Sequence, residues 1–139
     1  MKIIIDTCVW SLALRRQKNI TTSIEAKELE ELIKEVRVQL IGPIRQEVLS
    51  GIKIKSQFEQ LKKVLGFFPD LSLDSKDFEL AAEYYNCLRG KGIQGSNTDF
   101  LICAVSVRYD MPIFTVDKDF RHFKKHIPIS VYQPRLIDR

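Results

Sequence analysis

Short apolar runs alternate with amphipathic stretches along this chain, and the two patterns predict strands and helices in turn. Runs of four or five apolar, often β-branched residues are typical of buried strands. Five segments have this form: 1–5, 38–41, 68–71, 112–116 and 129–132. Strands that alternate with helices predict βαβ units and a parallel sheet. The expected fold class is therefore α/β, with a three-layer α/β/α sandwich around a central parallel sheet.

The segments between these runs have the apolar spacing of amphipathic helices. We expect helices over 9–15, from 43 onward, over 55–67, over 74–89 and over 100–108. Another should follow Thr22-x-x-Glu25, which has the form of a capping box, and Asp74-x-x-Asp77 should cap the helix over 74–89. Pro43 suits the first position of its helix. The side chains expected to point inward are Leu29, Leu32, Ile33, Val36, Phe58, Leu61, Leu65, Phe78, Ala81, Ala82 and Tyr85. The 100–108 helix is apolar almost all round and should be buried.

Length and charge narrow the class of protein. The 139 residues fit a single domain over 1–139, and 45% hydrophobic with 29% charged residues is typical of a folded globule. The first apolar run is far too short to span a membrane and no cleavage site follows it, so we expect a cytoplasmic protein. The net charge of +4 is compatible with a polyanionic partner such as RNA.

The cysteines and histidines offer little chemistry. The three cysteines have no C-x-x-C spacing, which argues against a disulfide framework and against a zinc site. His122 and His126 are four residues apart, but their segment is rich in Arg and Lys and lacks the Glu of H-E-x-x-H, so we interpret them as surface residues.

Carboxylates follow the predicted strands and open the predicted helices. Asp6 and Asp117 end strands, whereas Glu47 and Asp99 lie in the early turns of helices. Strand ends and helix starts share one edge of a parallel sheet, so we expect the four acids to converge there. Clustered carboxylates repel one another, and oxygen ligands suit Mg²⁺ or Mn²⁺. The pattern predicts a site for a hard divalent cation at this edge of the sheet.

Each acid also has a purely structural interpretation. Asp6 can simply end a strand, and Glu47 can belong to a solvated helix face. Asp99 completes the capping-box pattern Ser96-x-x-Asp99, and Asp117 and Asp119 suit a turn. Their joint placement, rather than any single acid, favours a functional site.

The order of these motifs resembles a known family. Ile3-Ile-Ile-Asp-Thr, a helix-borne Glu, Asp99-Phe-Leu-Ile-Cys-Ala and Phe114-Thr-Val-Asp-Lys-Asp-Phe together resemble a PIN domain of the VapC type over essentially the whole chain. The resemblance implies that Asp6, Glu47, Asp99 and Asp117 form the metal site of an endoribonuclease. It also implies a homodimer and an antitoxin protein that neutralises it.

Other positions are expected to support that site. Thr115 matches a frequent Ser or Thr whose hydroxyl acts behind the metal ligands, and Asp119 is a further candidate ligand. Cys8 departs from the pattern, since the family often has Asn or Ser there, and a thiol orients a carboxylate poorly; a small buried apolar residue is the alternative. Basic residues at loops or helix ends are candidates for holding RNA, namely Arg15, Arg16, Arg89 and Lys91.

Several alternatives remain open or are excluded by pattern. A housekeeping RNA-processing nuclease of the same fold, and a PIN fold that binds RNA or a partner without cutting, both fit the motifs. A haloacid-type phosphatase needs Asp-x-Asp after the first strand, but Asp6-Thr7-Cys8 follows; a phosphoacceptor domain needs an acid pair and a lysine that are not evident. Gly90-x-Gly92-x-x-Gly95 follows a helix, so it is not a dinucleotide-binding turn.

Overall fold

One small parallel sheet organises the molecule. The computed structural model describes residues 1–14 and 23–135. Within them the strands are β1 Ile3–Ile5, β2 Val38–Gln39 and β3 Ile113–Phe114, in the order β2-β1-β3. Single parallel bridges add Asp70 beside Leu40 and Val131 beside Ile113. All five predicted strand segments therefore take part in pairing, although the regular strands are shorter than predicted.

Helices cover both faces of this sheet. The described residues form α1 Thr7–Leu14, α2 Ile24–Lys34, α3 Gly42–Leu49, α4 Lys55–Leu65, α5 Ser75–Gly90, α6 Asn97–Tyr109 and α7 Asp119–Lys124. α1 to α4 step from β1 through β2 towards Asp70, whereas α5 and α6 return across the sheet to β3. Because such crossovers are right-handed, the two groups lie on opposite faces. Ile3, Ile4 and Ile5 are all fully buried although successive strand residues point to opposite faces. The α/β/α prediction is confirmed.

Local sequence signals fix most of the helix starts. The capping box of α5 is confirmed, since the Asp77 carboxylate accepts the Asp74 N–H at 2.8 Å and Asp74 caps the first turn. Thr22 lies outside the described residues, and Ser23 caps α2 by accepting the Ala26 N–H at 3.0 Å. Pro43 is the second residue of α3, after Gly42, rather than the first. α7 has no counterpart among the predicted helices.

Three residues that were expected to point inward do not. Val36 lies beyond the end of α2 with a φ of 58°, and 73% of it is exposed. Phe78 is 53% exposed and Ala82 is also at the surface. α5 instead buries the face that carries Asp77, Ala81 and Leu88. The period of the apolar residues was correct, but it did not identify which side of α5 meets α6.

α6 is buried along most of its length, as predicted. Seven consecutive residues, Phe100 to Ser106, are buried, so this helix packs against neighbours on every side. Among the described residues no helix has both the length and the apolar character needed to cross a membrane.

A buried carboxylate fastens the end of the described chain to α2. Glu28 is fully buried and accepts hydrogen bonds from the Tyr132 hydroxyl, the Arg135 N–H and the Arg135 guanidinium, whose Nε lies 2.9 Å from Oε2. Arg135 also pairs with Glu35 at 2.8 Å. Burial alone would raise the pKa of Glu28, but the hydrogen bonds from Arg135 and Tyr132 outweigh it and hold that pKa below its usual range.

Glu28→Gln should destabilise the fold, because it removes the charge that Arg135 and Tyr132 solvate while keeping the side-chain shape. We expect the free energy of unfolding at pH 7 to fall by about 1.5–3 kcal/mol, as for hydrogen bonds to charged groups. Since the folded pKa is lowered, this stabilisation is present above the ordinary value of 4.5 and is lost as the pH falls below it. Urea unfolding at several pH values measures both effects.

Glu31→Gln on the same helix is the matched control, because within residues 1–14 and 23–135 the Glu31 carboxylate pairs with Lys34 alone, at the surface and at 3.4 Å. It should change stability by no more than about 0.5 kcal/mol. Equal effects of the two substitutions would contradict the role assigned to Glu28.

Candidate active site

The central strand ends in a buried carboxylate. Asp6 follows β1, is 7% exposed, and its N–H donates to the Phe114 carbonyl at 2.9 Å. Its Oδ1 accepts the Thr7 N–H at 2.8 Å and its Oδ2 accepts the Thr115 hydroxyl at 2.7 Å. Burial raises the pKa of Asp6, and the nearby Asp117 charge adds to that effect. The hydrogen bonds from Thr115, Thr7 and Cys8 lower this pKa but do not offset the effect of burial. The ionised form of Asp6 is therefore held at a net electrostatic cost.

A single hydroxyl ties two of the predicted acids together. Thr115 Oγ1 donates its one proton to Asp6 and accepts the Asp117 N–H at 3.0 Å. The end of β1 and the turn that carries Asp117 are therefore held by the same atom. Thr115 therefore contacts Asp6 directly, and its role behind the metal ligands stays a prediction.

Cys8 takes part in the same network. Its Sγ accepts the Val116 N–H at 3.4 Å and lies 3.5 Å from Asp6 Oδ2 and 3.4 Å from Thr115 Oγ1. Burial raises the pKa of the Cys8 thiol, and the Asp6 charge raises it further, so the thiol stays protonated and can donate. The alternative of a purely apolar filler is wrong, because three polar groups surround the sulfur.

Thr7 links Asp6 to the predicted glutamate. Glu47 lies exposed in the second turn of α3, and its Oε1 accepts the Thr7 hydroxyl at 2.8 Å. Since the Thr7 N–H bonds Asp6, one residue orients both acids. Sequence reasoning missed this role of Thr7. The available signal was a hydroxyl residue directly after a strand-terminal aspartate.

Asp99 caps α6 and also belongs to the electrostatic cluster. Its Oδ2 accepts the Ser96 N–H at 3.1 Å while its own N–H donates to Ser96 Oγ at 3.0 Å, so the capping-box interpretation is confirmed. Burial raises the pKa of Asp99, with further contributions from Asp6 and Asp117. Oδ1 accepts no hydrogen bond from the described residues. Capping and a functional role are therefore compatible, since the cap uses one oxygen only.

Asp117 and Asp119 share the turn after β3. Asp117 is half-buried, and its Oδ1 accepts the Asp119 N–H at 2.9 Å. Asp119 itself is exposed. The turn interpretation is correct for Asp117, whereas Asp119 is the first residue of α7 and supports Asp117 through its backbone N–H.

The basic candidates divide into two groups. Arg15 and Arg16 lie outside the described residues. The Arg89 guanidinium donates to the Tyr85 hydroxyl at 3.2 Å and lies over the Tyr85 ring at 5.2 Å. That ring meets the edge of Phe100, next to Asp99, at 5.7 Å. Lys91 is exposed just after α5.

The donor set has the chemistry of a hard-cation site, but the acids are not drawn together as metal ligands. Within residues 1–14 and 23–135, no three His, Cys, Asp or Glu side chains form a group able to hold a metal ion. Thr115 joins Asp6 to Asp117, and Thr7 joins Asp6 to Glu47. Asp99 interacts with Asp6 and Asp117 through the repulsion of their charges. Burial raises the pKa of Cys103, a residue of α6, and the charges of Asp99 and Asp6 raise it further. Such an array of oxygen donors, with no paired cation described, favours a divalent ion.

Comparisons with known proteins agree with this fold. The PIN domain family profile matches residues 3–126. Ribonuclease VapC11 of Mycobacterium tuberculosis is 33% identical over 123 residues, which cover 85% of this chain and 88% of the relative. The crystal structure of FitAcB from Neisseria gonorrhoeae has a chain that is 22% identical with a TM-score of 0.74, covering 95% of this chain and 97% of that one. A toxin-antitoxin complex from Klebsiella pneumoniae has a chain that is 16% identical with a TM-score of 0.69, covering 98% and 100%. The chain belongs to the PIN domain family.

Proposed function

We propose that this protein is a metal-dependent endoribonuclease and the toxin of a VapBC-like toxin–antitoxin pair. The observation that carries the proposal is the network in which Thr115 and Thr7 join Asp6, Asp117 and Glu47 without a paired cation among the described residues. The relative at 33% identity is a ribonuclease, and the Klebsiella structure contains a toxin with its antitoxin. The proposal extends to a single-domain, cytoplasmic homodimer.

Asp6, Asp99 and Asp117 would hold Mg²⁺ or Mn²⁺, with Glu47 completing the site and Asp119 as a further candidate ligand. When bound, the ion would activate water and neutralise phosphate charge. Thr115 and Cys8 keep the Asp6 carboxylate fixed and protect it from rotation. Asp99 offers the oxygen that its capping bond does not use.

Glu47 is our candidate for accepting the proton of the attacking water. It is exposed, so its carboxylate exchanges protons with solvent more readily than the buried Asp6. The Thr7 hydroxyl fixes Oε1 and leaves Oε2 free of described hydrogen bonds. A positioned carboxylate of this kind can act as a general base.

Metal should stabilise the folded chain through Asp99. At a metal concentration about 100 times the Kd, binding adds about 2.7 kcal/mol, and thermal melting with Mn²⁺ against EDTA measures it. Asp99→Asn should lose most of this gain. Because the folded pKa of Asp99 is raised, its charge opposes folding as the pH rises through that pKa. In EDTA at neutral pH the variant should therefore melt no lower than the wild type.

Asp110→Asn is the matched control for that experiment. Asp110 ends the same helix in the left-handed conformation, with a φ of 55°, which Asn also tolerates. It should keep the full metal response. An undiminished response in Asp99→Asn would remove Asp99 from the metal site.

Purified protein should cleave single-stranded RNA with Mg²⁺ or Mn²⁺ and stop in EDTA. Asp6→Asn and Asp99→Asn should each lower the rate by at least ~100-fold, since both remove ligand charge, whereas Asp110→Asn should keep the wild-type rate. Attack by water leaves a 5′-phosphate and a 3′-hydroxyl, so end-group analysis tests the route. A 2′,3′-cyclic phosphate would overturn the mechanism, and RNA binding without cleavage would favour a non-cleaving PIN fold.

Expression of the wild-type chain alone should arrest growth of the native host, because unrestrained RNA cleavage stops translation. Asp99→Asn, expressed to the same level, should not. Co-expression of a small adjacent gene that encodes an antitoxin should restore growth. Normal growth with demonstrably active protein would instead support a housekeeping RNA-processing nuclease.

A further inference from the structure

The outward face of α7 is basic. Phe120, Phe123 and Ile127 recur at helical spacing and are buried, so they anchor α7 to the core. The opposite side, from the residue before α7 to the residue after it, carries exposed basic side chains: Lys118, Arg121, His122, Lys124 and Lys125. Like charges at this spacing destabilise a helix, so the cluster calls for a reason other than stability.

Arg121 differs from the other arginines of the described chain. Arg37, Arg45, Arg108 and Arg135 all form ion pairs, and Arg89 bonds Tyr85. The Arg121 guanidinium has no hydrogen bond, ion pair or ring contact with any residue in 1–14 or 23–135. Arg121 and Lys124 lie in the last turn of α7 and Lys125 follows it, where positive charge is favourable. Lys118 precedes α7, where that explanation does not apply.

Lys118 and Arg121 line a cleft that shares Thr115 and Asp117 with the candidate active site. The cleft has a volume of about 210 Å³, and its other charged lining residue is Glu25, at the start of α2. Tyr132 and Phe114, whose ring centroids lie 5.3 Å apart, form an apolar part of the lining. This volume is below the ~300–1,000 Å³ of pockets for drug-sized ligands, so the cleft suits one unit of a longer strand.

A second cleft borders the site on the Glu47 side and has a different character. It measures about 780 Å³ and is lined by apolar and uncharged polar side chains of α1, α3 and α4. Its described lining contains no Lys or Arg, and Glu47 is its only charged residue. Of the two clefts, the one beside α7 is therefore the one whose described lining offers cationic groups to a phosphate, namely Lys118 and Arg121, next to the carboxylates of Glu25 and Asp117.

We propose that Lys118 and Arg121 form a phosphate-binding subsite that receives the RNA backbone next to the scissile phosphate, with the strand leaving the active site over the basic face of α7. This inference rests on the proposed function and adds a direction for the substrate. Arg supplies forked donors that match phosphate oxygens, whereas Lys acts as a point charge.

Binding of a fluorescein-labelled single-stranded RNA oligonucleotide tests the subsite without cleavage. Anisotropy is measured in Mg²⁺ on the Asp99→Asn background over a series of salt concentrations. Lys118→Gln/Arg121→Gln should weaken binding at least about tenfold at low salt. Because each contact to a single strand contributes about 0.7 to the salt slope, that slope should fall by about 1.4. Arg121→Lys alone should keep the slope.

Two double variants serve as references. Lys2→Gln/Lys76→Gln removes the same charge from two other exposed positions. Lys2 precedes β1, at the opposite end of that strand from Asp6, and Lys76 lies in the first turn of α5, whereas Asp99 lies in α6. This variant should bind RNA like the background protein. Arg15→Gln/Arg16→Gln tests the other basic segment.

The outcomes separate the two proposals. Weaker binding and a smaller slope in Lys118→Gln/Arg121→Gln, but not in Lys2→Gln/Lys76→Gln, supports the subsite. Equal loss in both, or a loss confined to Arg15→Gln/Arg16→Gln, overturns it and leaves the nuclease proposal standing. If the wild type neither binds nor cleaves RNA, the proposed function fails and the subsite fails with it.

Discussion

The burial of one carboxylate at the end of the central strand constrains everything around it. An ionised aspartate removed from water costs several kcal/mol unless donors replace the lost solvent. For Asp6 those donors come from the first turn of α1 and from the end of β3, through Thr7, Cys8 and Thr115. Two elements that are distant in sequence must therefore meet at Asp6. The sheet order, with β1 in the middle, is what allows this meeting.

The same donors that solvate Asp6 also position the other acids. Thr7 donates its backbone N–H to Asp6 and its hydroxyl to Glu47. The Thr115 hydroxyl donates to Asp6 and accepts the Asp117 N–H. These hydrogen bonds do not offset the effect of burial, to which the repulsion among the acids adds a smaller part, since the pKa values of Asp6 and Asp99 both stay raised. The site is therefore rigid in geometry and deficient in positive charge. These are the properties that a preorganised cation site requires.

Much of this arrangement could be predicted from sequence because local and global signals agree at the strand ends. The apolar runs that stop at Asp6 and Asp117 predicted both the strands and the edge of the sheet at which they end. The Ser96-x-x-Asp99 cap predicted the helix that starts at the same edge. The errors arose where tertiary contacts decide. Phe78 has helical spacing, but only the packing of α5 on α6 determines that it faces outward. The partnership of Thr7 with Glu47 joins residues 40 positions apart, a contact that no local pattern encodes. The assignment of the four acids as ligands stays a prediction.

The buried and half-buried acids of the described residues include two contrasting pairs, and the contrast supports the proposed site. Glu28 and Asp77 are fully buried, and each is paired with an arginine, Arg135 and Arg108 respectively. The pairing holds the pKa of Glu28 below its ordinary range. Asp6 and Asp99 are paired with no cation in the described part of the chain, and burial raises the pKa of both. A fold that neutralises its structural carboxylates with arginine, yet leaves these two unneutralised beside Asp117, has stability to gain by pairing them. Acids left without a cationic partner in this way are typical of functional sites, so the contrast with Glu28 and Asp77 supports the proposal that Asp6 and Asp99 belong to one.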